Sequence, residues 1–244
     1  MRFITEQRLD DDILEREFLL GDIPGILWTP VSVSEPMPLI LAGPPPLGLH
    51  RAYPRLLDRV RPCVTEGYAV ATIELPGSGE RPRSAGADQA LADLRRALAA
   101  GGPVADEIVD KLILPLVDQA VPEWRAALDD LLALPEIGGP VGYSGGVISI
   151  GTRLAAVDPR ITAAVLFAGS FVPRAIIEEA RHVTIPVHVL LQWDDEGNDR
   201  QMALDLFDAF GSEEKTLHAN MGGHTGVPPY AGAEAGRFFT RHLK

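Results

Sequence analysis

Ser144 stands between Gly142 and Gly146 in the stretch VGYSGGV, residues 141 to 147. A serine hydroxyl is a weak nucleophile. To attack a carbonyl it needs a base, an acid that orients the base, and donors for the oxyanion that develops. The spacing GxSxG at a strand-to-helix turn suits that use, because the glycines permit a sharp turn that lifts the hydroxyl above the edge of a sheet. The apolar run GPVGYS leads in, and GGVISIGTRLAAV, whose small residues let a helix lie close against a sheet, leads out. Ser144 is therefore the expected nucleophile. The acid and the histidine should follow in that chain order. The run IPVHVLLQW stops at Asp194 and Asp195, and KTLHAN stops at MGGHTG, which carries His224. Neighbouring residues at a strand end point in different directions, so only one of the two aspartates can hold the imidazole. Gly222, Gly223 and Gly226 give the loop the freedom to bring His224 over the serine.

The elements that must position these residues are legible from punctuation and periodicity. Short apolar runs alternate with longer amphipathic ones, without internal repeats, which predicts a layered α/β protein. EREFLLG and GILWTPV read as an opening pair of strands. PLILAG, YAVATIEL, GPVGYS, ITAAVLFAG, IPVHVLLQW and KTLHAN follow as continuous apolar runs of the kind that parallel strands show when both faces are covered. The expectation is a mostly parallel central sheet of about eight strands with helices on both faces. Helices are predicted over 51–66, where Pro62 should end or kink the helix, over 121–134, with Pro122 in the first turn, after Ser144, over 199–211, with Asp199 as N-cap, and over 231–243. The interval before the nucleophile strand is long for a simple crossover, and residues 86–119 carry two helical patterns around GGP. They are expected to form either a small helical lid or a lengthened crossover; as a lid, their Leu112, Ile113 and Leu116 would supply an apolar wall. The chain is otherwise expected to be one domain, residues 1–244.

Composition narrows the partners. The formal net charge of −12 leaves no basic stripe for phosphates or anionic membrane surfaces, so neither nucleic acid nor membrane is expected. No apolar run approaches the roughly 18 residues that span a bilayer. Cys63 is the only cysteine, which rules out an internal disulfide framework and, with the polar opening MRFITEQRLDDD, points to a cytoplasmic chain. Cys63 itself reads as a small buried hydrophobe. Gly77 and Gly79 lack the third glycine of a dinucleotide fingerprint and read as a turn. No cluster has metal-ligand spacing, and no cofactor is expected. His188 and His218 fall inside apolar strands, His242 in the last helix and His182 on the approach to a strand; only His50, just past a proline loop, has a chance of reaching Ser144. Asp129 and Asp130 read as a solvated polar helix face. A homodimer is compatible with these features.

From PLILAG through YAVATIELPGSGERP, whose PGxG-type loop is characteristic, to GYSGG, QWDDE and GGHTGVP, nearly the whole chain resembles the α/β-hydrolase fold superfamily, specifically its compact bacterial esterase and dienelactone-hydrolase-like members. The resemblance implies a Ser-His-Asp triad of Ser144, His224 and Asp195, with Asp194 as the alternative acid, acting on a small carboxylic ester or lactone without a cofactor. It also exposes a departure. Members commonly place a histidine and glycines after the third strand, where a backbone N–H joins that of the residue after the nucleophile to hold the oxyanion. Here the chain reads AGPPPLGLHR, and Pro44, Pro45 and Pro46 have no N–H. Gly145 supplies one donor, and Leu47 is the expected second, with Gly48 or a side chain as substitutes. The competing expectation is a small-molecule binding or cyclase-like protein that keeps the scaffold without efficient acyl transfer.

Overall fold

The computed structural model describes residues 1–9, 12–32 and 35–244; Asp10 and Asp11 of the polar opening lie outside the described residues. Nine strands among these form one sheet: β1 (Arg2–Leu9), β2 (Ile13–Leu20), β3 (Ile23–Pro30), β4 (Met37–Gly43), β5 (Ala69–Ile73), β6 (Ile137–Gly145), β7 (Ile161–Phe167), β8 (Val187–Gln192) and β9 (Lys215–Asn220). Their order across the sheet is β1-β2-β3-β5-β4-β6-β7-β8-β9. The first three pair antiparallel, β3 meets β5 antiparallel, and from β5 through β9 every neighbour is parallel. All carboxyl ends of β4, β6, β7, β8 and β9 therefore point to one rim. The extra strand beyond the expected eight is β1. Its residues 2–8 are all exposed, so it lacks the apolar run by which the other strands are recognised, and it survives as an edge by pairing with β2.

Helices cover both faces. On one side α1 (Leu49–Thr65) and α7 (Pro229–Leu243) bury Leu49, Ala52, Leu56, Val60, Phe239 and Leu243 against Val70, Ala163 and Val165. On the other, α3 (Asp106–Leu132), α4 (Ile148–Val157), α5 (Arg174–Ala180) and α6 (Arg200–Ala209) enclose the larger core around Trp124, Tyr143, Ile148 and Leu191. α2 (Ala85–Ala99) packs on α3 and buries only Ala90.

Prolines terminate less than expected. α1 runs through both Pro54 and Pro62, because the apolar stripe that holds it to the sheet continues to Val64. α3 is a single helix with Pro115 and Pro122 inside it, so Pro122 is an interior residue rather than a first-turn one. The same helix carries the residues anticipated as an apolar wall. Val109, Ile113 and Val117 lie in the main core, and Leu112 and Leu116 pack against it, so residues 106–119 belong to the helical layer. Asp199 caps α6 as expected, accepting hydrogen bonds from Gln201 and Met202 N–H. Asp129 and Asp130 are not merely solvated: the first pairs with Arg160 and the second with the amino group of Met1. Among the described residues no helix is long and apolar enough to cross a membrane.

Candidate active site

Ser144 is the penultimate residue of β6, in register with Ala42 of β4 on one side and Val165 of β7 on the other. The turn that follows is made by Gly145 and Gly146, each with φ 69°, a left-handed conformation that glycine adopts at little cost. α4 starts only at Ile148. Neither glycine has room for a side chain: a Cβ on Gly146 would lie 2.8 Å from Gly43 Cα, and one on Gly145 would lie 2.4 Å from Arg59 Nη2.

The loops after β8 and β9 meet over the same rim. His224 Nδ1 lies 2.7 Å from Asp195 Oδ2. The Asp195 side chain is only 3% exposed, against 54% for His224, and its other oxygen accepts the N–H of Gly197 at 3.0 Å. A buried carboxylate with both oxygens engaged is held in one orientation, which orients the ring it touches. Asp194 does something else. Its Oδ1 accepts the N–H groups of Gly222 and Gly223, both at 2.9 Å, clamping the turn that carries His224. Those backbone donors lower the pKa of Asp194. From the other side Gln192, buried at the end of β8, donates to the Gly223 carbonyl at 2.8 Å. Gly226 packs on the Gly222 carbonyl, where a Cβ would be 2.0 Å away, so this loop must be built from glycine.

The imidazole rests edge-on against Phe167, at the end of β7, with ring centroids 5.6 Å apart. Gly169 leaves the space for it; a Cβ there would lie 3.0 Å from His224 Cε1. Among the described residues no hydrogen bond joins His224 Nε2 to Ser144 Oγ. The group that touches Ser144 is Arg59 of α1, whose Nη2 lies 2.8 Å from the Ser144 carbonyl and 3.4 Å from Oγ, while Nη1 donates to the Gly43 carbonyl at 3.2 Å. Arg59 is an exposed residue, and the packing of its guanidinium against the ends of β4 and β6 lowers its pKa by desolvation.

The expected second oxyanion donor is placed differently. The Leu47 N–H donates to the Pro45 carbonyl at 2.8 Å in a tight turn, so it is already engaged. His50 is exposed in the first turn of α1. Burial pushes the Cys63 thiol up to about 11, in keeping with an inert packing residue. Gly77 and Gly79, with φ 67° and 58°, form a turn. Among the described residues no group of three metal-ligating side chains is assembled.

No family model and no curated protein matches the chain. Solved structures do. A cold-adapted esterase from an Arctic intertidal metagenomic library matches over the full length of both chains, at 28% identity and a TM-score of 0.78. The chain has the α/β-hydrolase fold. It shares that fold with a protein assigned as a dienelactone hydrolase from Klebsiella pneumoniae, at 15% identity and a TM-score of 0.68 over 94% of this chain and 98% of that one. Acetyl xylan esterase 1 from Thermoanaerobacterium sp. matches at 13% identity and a TM-score of 0.65, over 98% and 87%. The full-length match sets this hydrolase-fold chain beside a solved esterase, and the two matches of lower identity speak to the fold alone.

Arg59 and the clamp role of Asp194 are the site features that sequence reasoning missed. A signal for Arg59 was present: with Ala52, Leu56 and Cys63 it follows the helical spacing of the sheet-facing side of α1, so it is a charge beside an apolar stripe. For Asp194 the signal was its place among two adjacent acids, of which only one could orient the imidazole.

Proposed function

We propose that the protein is a serine hydrolase of small carboxylic esters or lactones, working through Ser144, His224 and Asp195. The reading is carried by the Asp195–His224 pair, a buried, fully hydrogen-bonded carboxylate on an exposed imidazole, held on the rim to which the carboxyl end of β6 brings Ser144. Asp195 fixes the proton on Nδ1, leaving Nε2 as the base. Nε2 takes the Ser144 proton as Oγ attacks the acyl carbon; the collapsing intermediate expels the alcohol, which leaves with the proton from Nε2. Water then attacks the acyl-enzyme by the same route and releases the acid. Gly145 N–H, next to the nucleophile, is a donor for the oxyanion. The Nε2–Oγ contact, not made at rest, forms as the acyl group seats, since catalytic hydrogen bonds commonly tighten only in the substrate complex.

The engaged N–H of Leu47 favours one other reading, a binding or cyclase-like protein without efficient acyl transfer. A fluorophosphonate probe and p-nitrophenyl acetate, applied to wild type and Ser144→Ala, separate the two. Labelling and turnover that vanish in the variant are expected; a wild type that neither labels nor turns over overturns the hydrolase reading.

A further inference from the structure

Resting on that reading, we propose that Arg59 is a catalytic residue: its guanidinium, reaching over from α1, stabilises the oxyanion in place of the backbone donor that the proline loop lacks. The backbone after β4 has few donors to offer. Pro44, Pro45 and Pro46 have none, the Leu47 N–H is bound to Pro45, and the Leu49 N–H donates to Glu74 Oε2 at 2.9 Å. Gly48 lies against Gly79, where a Cβ would come within 2.9 Å of the Gly79 Cα. Gly79 follows β5, and the sheet order β5-β4-β6 puts that side of the loop away from Ser144.

Arg59 approaches from the β6 side. It binds the carbonyls that flank the site, Gly43 at the end of β4 and Ser144 itself, and the second of its contacts ends 3.4 Å from Oγ. A guanidinium carries five N–H donors, and the two carbonyls occupy only part of that fork. No carboxylate among the described residues pairs with Arg59, so its charge is not spent on a neighbouring acid. In a chain with 34 acidic residues, a cation left without a carboxylate partner beside Ser144 is available to an anion that forms there. The tetrahedral intermediate supplies one, since its oxyanion sits on the carbon to which Oγ bonds, within the span of the unspent donors. Gly145 then has a second function: any side chain there would strike Nη2 and displace the cation. No proton moves to or from the guanidinium in the cycle; it gains an ionic hydrogen bond as the carbonyl becomes an oxyanion and loses it on collapse.

The test compares wild type, Arg59→Met and Arg59→Lys by kcat and KM on p-nitrophenyl acetate, inhibition by a phenylboronic acid, and thermal melting. Loss of one oxyanion donor predicts a kcat lower by about a hundredfold or more in Arg59→Met, KM within a few-fold, and boronate affinity falling in parallel. Lysine keeps the charge without the fork, so Arg59→Lys should recover part of kcat and affinity. Should Arg59→Met fail to fold, the lysine variant and the recovery of an Arg59→Ala protein by millimolar guanidinium carry the test, and failure of both overturns the inference. A folded Arg59→Met with wild-type kcat and boronate affinity overturns it too, and leaves the serine-hydrolase reading standing. A wild type that neither labels with fluorophosphonate nor hydrolyses ester overturns both.

Discussion

Replacing Asp195 by asparagine poses a choice that the structure resolves. The carboxylate uses one oxygen on His224 Nδ1 at 2.7 Å and the other on the Gly197 N–H at 3.0 Å. An amide has only one oxygen. If it accepts from Gly197, the NH2 group faces Nδ1, the ring takes its proton on Nε2, and the base is lost. If it accepts from Nδ1–H, the NH2 group is pressed against the Gly197 N–H in a site that is 3% exposed, at about 1 to 3 kcal/mol for the stranded donors. The first arrangement should win, leaving about one molecule in 10 to 100 with the productive tautomer. Those molecules also lack the charge that steadies the imidazolium, a charged hydrogen bond worth about 1.5 to 3 kcal/mol, or roughly another 10- to 100-fold. Together the two effects predict kcat/KM on p-nitrophenyl acetate at pH 8 lower by about 10² to 10⁴, with little change in melting temperature. Asp194→Asn is the control. One oxygen of Asp194 already accepts both Gly222 and Gly223, and an amide oxygen can do the same, so activity should stay within about tenfold of wild type. An Asp195→Asn enzyme within tenfold of wild type refutes the reasoning, and a collapse confined to Asp194→Asn would reverse the assignment of the acid.

Other perturbations report on the scaffold. Gly169→Ala should lower kcat by up to about a hundredfold, because the new methyl meets His224 Cε1 at 3.0 Å and the Phe167 ring at 2.1 Å and must displace one of them; unchanged kinetics would show that the imidazole does not depend on this space. Glu15, buried on β2, accepts Trp28 Nε1 at 2.5 Å and the Tyr53 hydroxyl at 2.6 Å, so Glu15→Ala strands a buried indole N–H and a half-buried hydroxyl and should cost about 2 to 4 kcal/mol in urea unfolding. Asp158 is held below the usual carboxylate range chiefly by its hydrogen bonds with Arg160. A depressed folded pKa contributes stability that is complete above the unfolded value of 3.8 and is lost as pH falls through the folded one, so Asp158→Asn should flatten melting temperature against pH below 4. Parallel curves for wild type and variant would count against that pairing.

β5 and β8 of the parallel half were legible because burial on both faces leaves an unbroken apolar run. β1 left no such mark, being exposed along nearly its whole length. The joining of α3 across Pro115 and Pro122 was hidden for a different reason. A proline removes one hydrogen bond, a local cost, while the core contacts of Val109, Val117, Trp124 and Leu128 that hold the helix together are tertiary and cannot be read from spacing alone. At the rim, chain order and loop glycines were enough to nominate Ser144, His224 and the pair of acids. What Leu47 and Arg59 do there was not accessible, because a turn that consumes an N–H and a side chain that crosses from α1 to β6 are properties of the folded backbone.

The Glu15 anchor has a reach beyond the strand that carries it. Tyr53, which it holds, belongs to the same rod as Arg59, which lies six residues further along it (53 to 59). The antiparallel wing thereby adds a polar tether to the apolar stripe that seats the helix from which the cation extends. Drift in that wing, remote from any reacting atom, should surface first as slower turnover at temperatures where the protein is still fully folded.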